Sequence, residues 1–469
     1  MRNRFIKALT LAVAVTLAME PMAAVAAPVA TESTVTQEMC DASYWVSNYK
    51  GDVDAVLMTR EQIASYNATA LKTKDCSMYD LTAMDASYDA TKIRDNLVQS
   101  IKEAAPSKDT YANHAKIDQA AYYQLLADWT AASGWTGTCA PKYALGVEQT
   151  QIKSVPTRDF IGYSEIDSDD EIVLGALRVN EPFLVKQMAN INGSIFYYGY
   201  SNNVCGWVLG DDLAFCGTKS DWLKSWQTTL DGTDFVVVTD DYFSLSQSEY
   251  TKSVSGLQLT MGTVLKLVPQ SEIPRSISMR TNWNSYVVYV PTRGENGQCV
   301  QEIALIAQNK DVSVGYIPVT ARNLIEQSFK YLGDTYGWGG MLDSVDCSAL
   351  VRNVYKCCGL EMPRNTTWQK CIAGTAVDTS NMDSASKASG ISQCIPGTAL
   401  YMPGHTMIYL GTVDGVNYVI SAVGSTVDSE GYIDVRQINS VTITPLTVRR
   451  RNGSTWLDNI DTAVMPWNI

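Results

Sequence analysis

The hydrophobic period changes twice along this 469-residue chain, and no single repeating architecture accommodates such a change. From Thr31 to about Thr138 apolar residues recur at helical spacing. Thr59-Arg60-Glu61-Gln62-Ile63 reads as a capped helix start, Ile93, Leu97, Val98 and Ile101 mark a helical face, and Tyr122, Tyr123, Leu125, Leu126 and Trp129 continue the pattern. From about Val155 short strands take over, among them 171–175, 182–185, 195–198, 206–208, 235–238, 263–268 and 285–290, separated by Asn/Gly turns. Two small β-barrels are expected between about Ser154 and Gly315, although strand spacing alone leaves barrel and sandwich both open. The last segment mixes the periods. Helices are expected over 321–332 and 347–358, then strands over 398–402, 407–410, 418–420 and 441–444, which is an α+β plan.

The first residues point to export. Arg2, Arg4 and Lys7 precede an apolar run over 8–18, and Ala24-Val25-Ala26 fits a secretory cleavage site, so residues 1–27 are expected to be a signal peptide. The apolar run is too short to span a bilayer comfortably, and no Cys follows the cleavage site to carry a lipid. The mature protein is expected to be secreted (extracellular, periplasmic or wall-associated) with no stable membrane span. A formal charge of -13 offers phosphates no basic stripe, which argues against nucleic acid. Eleven cysteines in an exported chain predict disulfides, with Cys205 and Cys216 as one expected pair; the odd total leaves a free thiol. Two histidines and no C-x-x-C spacing argue against zinc, and neither metal nor cofactor is expected.

The chemistry concentrates near the C-terminus. Leu350, Val351, Val354 and Tyr355 give the helix over 347–358 one buried face, Asp346 is a good N-cap, and Gly359 a good C′ residue. Cys347 therefore sits in the first turn, where unpaired N–H groups favour a thiolate, although the Asp346 carboxylate opposes it. A thiol nucleophile needs a base, and only His114 and His405 exist. His114 lies in a polar stretch expected to be helical and solvated. His405 follows the turn Met402-Pro403-Gly404 and opens a strand, which holds a base rigidly. Cys347 is thus the expected nucleophile and the single readily alkylated thiol.

Four ordered motifs complete the picture: Gly333-Asp334-Thr335-Tyr336-Gly337-Trp338-Gly339-Gly340, Asp346-Cys347-Ser348, Pro363-Arg364-Asn365, and Gly404-His405-Thr406-Met407-Ile408-Tyr409-Leu410-Gly411. Together they resemble the NlpC family of cysteine peptidases, and the upstream segments resemble its subgroup with a helical N-terminal stabilising segment and two bacterial SH3-like domains. The resemblance implies a multidomain chain: a helical segment over 28–150, SH3-like barrels over 151–217 and 218–316, and a papain-like α+β peptidase domain over 317–469. It also implies hydrolysis of the γ-D-glutamyl-diamino acid bond in peptidoglycan stem peptides or muropeptides. By position, Tyr336 matches a tyrosine beside the reacting carbonyl, and Asp346 and Ser348 match the pair that holds the amine of an N-terminal L-alanine.

One position departs from the family pattern. The residue that orients the base, most often His, is Ser421 here. A hydroxyl supports an imidazolium less than a second imidazole does. That leaves a catalytically weak or inactive wall-binding protein as the alternative to a working peptidase, with an acyltransferase on the same thiol fold as a third reading.

Overall fold

The computed structural model describes residues 35–73, 76–341, 343–372, 375–427 and 435–467; the expected signal peptide lies outside them. Among the described residues no helix is long and apolar enough to cross a membrane.

Four helices dominate the first third: α1 (Ala42–Asn48), α2 (Arg60–Ala70), α3 (Ala90–Glu103) and α4 (Gln119–Ser133). Their starts follow from local chemistry. Asp41, Asp89 and Asp118 cap α1, α3 and α4, and Thr59 with Gln62 forms a reciprocal capping box on α2. These helices have no core of their own. Trp45, Ile63 and Tyr66 are fully buried in the same cluster as Leu350, Val354 and Tyr401 of the last segment. Tyr123 and Leu126 of α4 pack instead with Ile172, Phe196 and Trp207 of the sheet that follows. The segment is a layer wrapped on the rest of the chain.

That sheet has seven strands: β1 (Lys142–Gly146), β2 (Thr150–Lys153), β3 (Val173–Leu177), β4 (Pro182–Ile191), β5 (Ser194–Tyr200), β6 (Cys205–Leu209) and β7 (Leu213–Cys216). Their spatial order is β7-β1-β4-β5-β6-β2-β3, so the sheet begins before residue 151. The short helix α5 (Lys219–Trp226) leads into a second β region. There β8 (Phe235–Val238), β11 (Val264–Lys266) and β14 (Val312–Val314) form one small sheet. Two antiparallel pairs accompany it, β9 (Tyr242–Ser244) with β10 (Gln258–Thr260) and β12 (Ser285–Arg293) with β13 (Cys299–Ala307).

The last segment opens with α6 (Ala321–Phe329) and α7 (Cys347–Cys357). Its eight strands are β15 (Thr335–Tyr336), β16 (Ser344–Val345), β17 (Thr375–Asp378), β18 (Ala399–Met402), β19 (His405–Val413), β20 (Val416–Val427), β21 (Val435–Pro445) and β22 (Thr462–Met465), in the order β16-β15-β21-β20-β19-β18-β22-β17. Helix α7 packs on β19 and β20 through Leu350, Val351 and Val354, all buried. Asp346 caps it, and Gly359, at φ 86°, ends it in the left-handed conformation that a Cβ would disfavour. The mixed α/β plan expected from the sequence is the one this segment adopts.

Three expectations are corrected. His114 is not helical. It forms, with Asn113, the turn of the hairpin pairing Thr110–Ala112 with Ala115–Ile117, because both residues take positive φ. The described cysteines form no disulfide. Cys205 and Cys216 cannot pair, because their strands β6 and β7 are separated by β1, β4 and β5 in the sheet. Cys216 instead faces the Cys299 thiol, and Cys205 accepts from the Tyr79 hydroxyl at 3.4 Å. Cys347 is buried, whereas Cys371 is exposed.

Candidate active site

Cys347 is the first residue of α7, so its backbone N–H has no partner within the helix. Its thiol lies against the backbone N–H of Thr406 and 3.9 Å from the Thr366 hydroxyl. The sequence reading expects the helix terminus to favour the thiolate. Burial and the adjacent Asp346 carboxylate prevail, pushing the thiol up to about 11.

Thr406 is the neighbour of His405 on β19, so the strand that receives the thiol also carries the base candidate. The imidazole Nε2 lies 3.1 Å from Ser421 Oγ on the adjacent strand β20. Ser421 is fully buried, and Trp456 meets the imidazole edge-on at 5.1 Å between ring centres. Burial, helped by the Arg450 charge, lowers the His405 pKa to about 4. Burial thus favours the neutral form of each group, thiol and imidazole alike. The imidazole is bonded through Nε2 to Ser421, and no hydrogen bond joins it to the Cys347 thiol among the described residues.

Tyr336 comes from β15, which runs parallel to β16. Burial first, and then electrostatic coupling to Cys347 and Asp346, hold its phenol above its ordinary range.

Asp346 has little capacity to spare. Oδ1 accepts from Ala349 N at 2.8 Å, Ser348 Oγ at 2.9 Å and Arg364 at 3.2 Å; Oδ2 accepts from Gly339 N at 3.1 Å and from the other Arg364 nitrogen. A carboxylate offers roughly four acceptor sites, so these five contacts saturate it. The pair is sealed from water, with Asp346 1% and Arg364 4% exposed. Burial opposes the Asp346 charge, but Arg364 and the hydrogen bonds prevail and hold its pKa below the usual carboxylate range. Ser348 bonds both members of the pair, donating to Asp346 and accepting from Arg364 at 2.9 Å.

Arg364 was visible in the motif that contains it, but it had no assigned partner; the signal was the helix-capping carboxylate itself, which needs a cation once buried. The contribution of the first β sheet had no sequence signal at all. Arg364 packs so closely on β3 that a Cβ at Gly175 would stand 2.9 Å from its Nε. Trp338 donates from its indole to Val173 O at 2.9 Å. Just before β3, Asp169 accepts from the Trp338 backbone, and burial raises its pKa. Asp169 acts electrostatically on both Tyr336 and Asp346, a second carboxylate near the site, carried by the segment before β3. Among the described residues, no cluster of His, Cys, Asp and Glu is suited to hold a metal ion. His114, exposed and stacked on Phe160 at 4.9 Å, takes no part.

The Cys347 thiol opens a helix that packs against the strand beginning with His405. Residues 333–456 match the NlpC/P60 family, and the chain carries an NlpC/P60-family domain there. No curated protein sequence matches the chain. Among solved structures, an NlpC/P60 endopeptidase from Photobacterium damselae subsp. piscicida superposes with a TM-score of 0.69 at 16% identity, covering 91% of this chain and 97% of that one. The fold is therefore shared over nearly the whole length, helical layer and β regions included. An NlpC/P60 family protein from Bacillus cereus aligns at 18% identity with a TM-score of 0.44, over 69% of this chain and 99% of its own.

Proposed function

We propose that this protein is a secreted thiol peptidase that hydrolyses the γ-D-glutamyl-diamino acid bond of peptidoglycan stem peptides, acting on fragments with a free N-terminal L-alanine. The observation that carries the reading is the Cys347 thiol held at the start of α7 against the strand of His405. The family match over 333–456 and the fold shared with a protein described as an endopeptidase support it. In this reading the two β regions are the SH3-like domains of the resemblance.

The reaction starts from the neutral forms that burial favours. His405 takes the Cys347 proton as sulfur attacks the γ-carbonyl, so charge separates only as the C–S bond forms. The free backbone N–H of Cys347 and the Tyr336 hydroxyl face the developing oxyanion. His405 then protonates the leaving amine, and water, activated by the same imidazole, hydrolyses the thioester. Ser421 acts as a positioning residue that holds the imidazole.

The saturated Asp346–Arg364–Ser348 cluster serves best as the frame behind the nucleophile. The amine of L-alanine then falls to Asp169, a carboxylate with no ion pair among the described residues and a raised pKa that an ammonium would lower.

The experiment is release of diaminopimelate from L-Ala-γ-D-Glu-meso-diaminopimelate by wild type and Cys347→Ala, with the N-acetylated peptide as a second substrate. Cleavage by wild type alone is expected. Acetylation should lower kcat/KM by roughly ten- to a hundred-fold, as loss of a charge-assisted contact does, and Asp169→Asn should reduce that discrimination. Turnover by Cys347→Ala would end the thiol mechanism, and equal rates on both peptides would end amine recognition.

A further inference from the structure

A second site lies away from the thiol, where the helical layer, both β regions and α7 meet. A cavity of about 410 Å³ opens there, within the range of pockets that take small ligands. Asn67 of α2 and Leu71 just beyond it form one wall, Asn180 and Glu181 at the β3–β4 turn a second, and Thr263 ahead of β11 a third. Arg352 and Lys356 of α7 form the fourth. Leu71 is exposed, so solvent reaches the rim.

The charges in this cavity do not balance. Arg178 pairs with Glu181 at 3.4 Å, and Lys356 pairs with Glu361. Arg352 has no carboxylate partner among the described residues. One of its terminal nitrogens donates to Asn203 Oδ1 at 3.2 Å, and its Nε has no hydrogen-bond partner. The residue is only 5% exposed, and burial beside Arg178 lowers its pKa to about 9. An unpaired buried guanidinium is costly, and an oxyanion is its natural complement. Two further lining groups are unpartnered and buried. Asn180 donates through Nδ2 to Ser225 O and Val264 O but leaves Oδ1 free, and Thr263 Oγ1 bonds nothing among the described residues. Asn180 and Thr263 are 4% and 1% exposed. The orphans thus ask for an acceptor at Arg352 and for an N–H or O–H donor at Asn180.

We propose that this cavity binds an amino acid or dipeptide, its carboxylate on Arg352 and its N–H groups on Asn180 and Thr263. The site is separate from the thiol cleft, and the proposal does not depend on the peptidase reading. Because Arg352 lies on the helix that Cys347 opens, an occupant there braces the nucleophile helix against both β regions.

The test uses the full mature chain carrying Cys347→Ala, so that no thiol chemistry interferes. Each proteinogenic amino acid and L-alanyl-L-glutamate is screened by thermal shift, and any hit is titrated by calorimetry, with its decarboxylated amine as a control. At least one should bind saturably at a single site, and its amine should not. Arg352→Met should weaken binding by about ten- to a hundred-fold, and Thr263→Val by several-fold. Absence of any stabilising probe overturns the proposal. So does a hit whose affinity is the same in both variants. If Arg352→Met fails to fold, Thr263→Val, which only removes an unpartnered hydroxyl, carries the comparison alone.

Discussion

Replacing Ser421 with alanine removes the one group among the described residues that is bonded to the imidazole of His405, and the structure sets the size of the effect. The contact is 3.1 Å long and the hydroxyl is fully buried, so no water can take its place without rearrangement. A buried nitrogen deprived of its partner costs about 1–3 kcal/mol. With Nε2–H donating to Ser421, Nδ1 holds the lone pair; without the serine, both tautomers and several ring orientations compete. If the whole cost falls on the transition state, kcat/KM drops by roughly five- to 150-fold. The assay is hydrolysis of the tripeptide by both forms, with melting curves as a control for folding. The chain has two histidines, and His114 is exposed, so the His405 tautomer can be read directly from imidazole 15N shifts against a His114→Ala reference. Ser421→Ala should shift the tautomer population as well as the rate. An unchanged rate and an unchanged 15N spectrum in a folded variant would refute the positioning role. Ser421→His should cost about 1–3 kcal/mol, because the larger ring must enter a filled core.

Three further outcomes are expected. His405 binds a proton near pH 4 when folded and near 6.5 in an unfolded chain, so the unfolded state holds more protons between those values; stability is full above 6.5 and falls by up to about 3 kcal/mol as pH drops through that window. Comparing urea midpoints of wild type and His405→Gln across pH 4 to 7 isolates this share, and parallel curves would exclude it. Arg364→Met strands the Asp346 carboxylate in the core and should cost about 3–5 kcal/mol in denaturant unfolding, whereas a loss under 1 kcal/mol would mean that the pair is solvated. Mild oxidation with copper–phenanthroline should join Cys216 to Cys299, whose strands meet through the Phe215–Gln298 bridge, while Cys205 stays reduced; peptide mapping that finds Cys205–Cys216 instead would contradict the strand order.

Local chemistry was legible without the fold. The capping box at Thr59, the N-cap at Asp346, the left-handed Gly359 and the strand opened by His405 depend on neighbours within a few residues, and each stands where the sequence places it. Even there, locality has limits: Asn113 and His114 read as helical by composition, but their positive φ values make a hairpin turn.

The sequence offers candidates for nucleophile and base, Cys347 from its place at a helix start within a family-like motif and His405 because only two histidines exist. Their protonation it does not offer. The helix terminus argues for a thiolate, but burial under the rest of the fold outweighs it and favours the neutral thiol, as it favours the neutral imidazole. Arg364 meets Asp346 across 18 residues, and Asp169 reaches the same site from the segment before β3, more than 160 residues upstream. The unbalanced charge of Arg352 exists only because four segments close around it. Sequence spacing encodes which backbone shape each stretch prefers. Desolvation and charge pairing depend on what lies across the fold, and those were decided only by the tertiary structure.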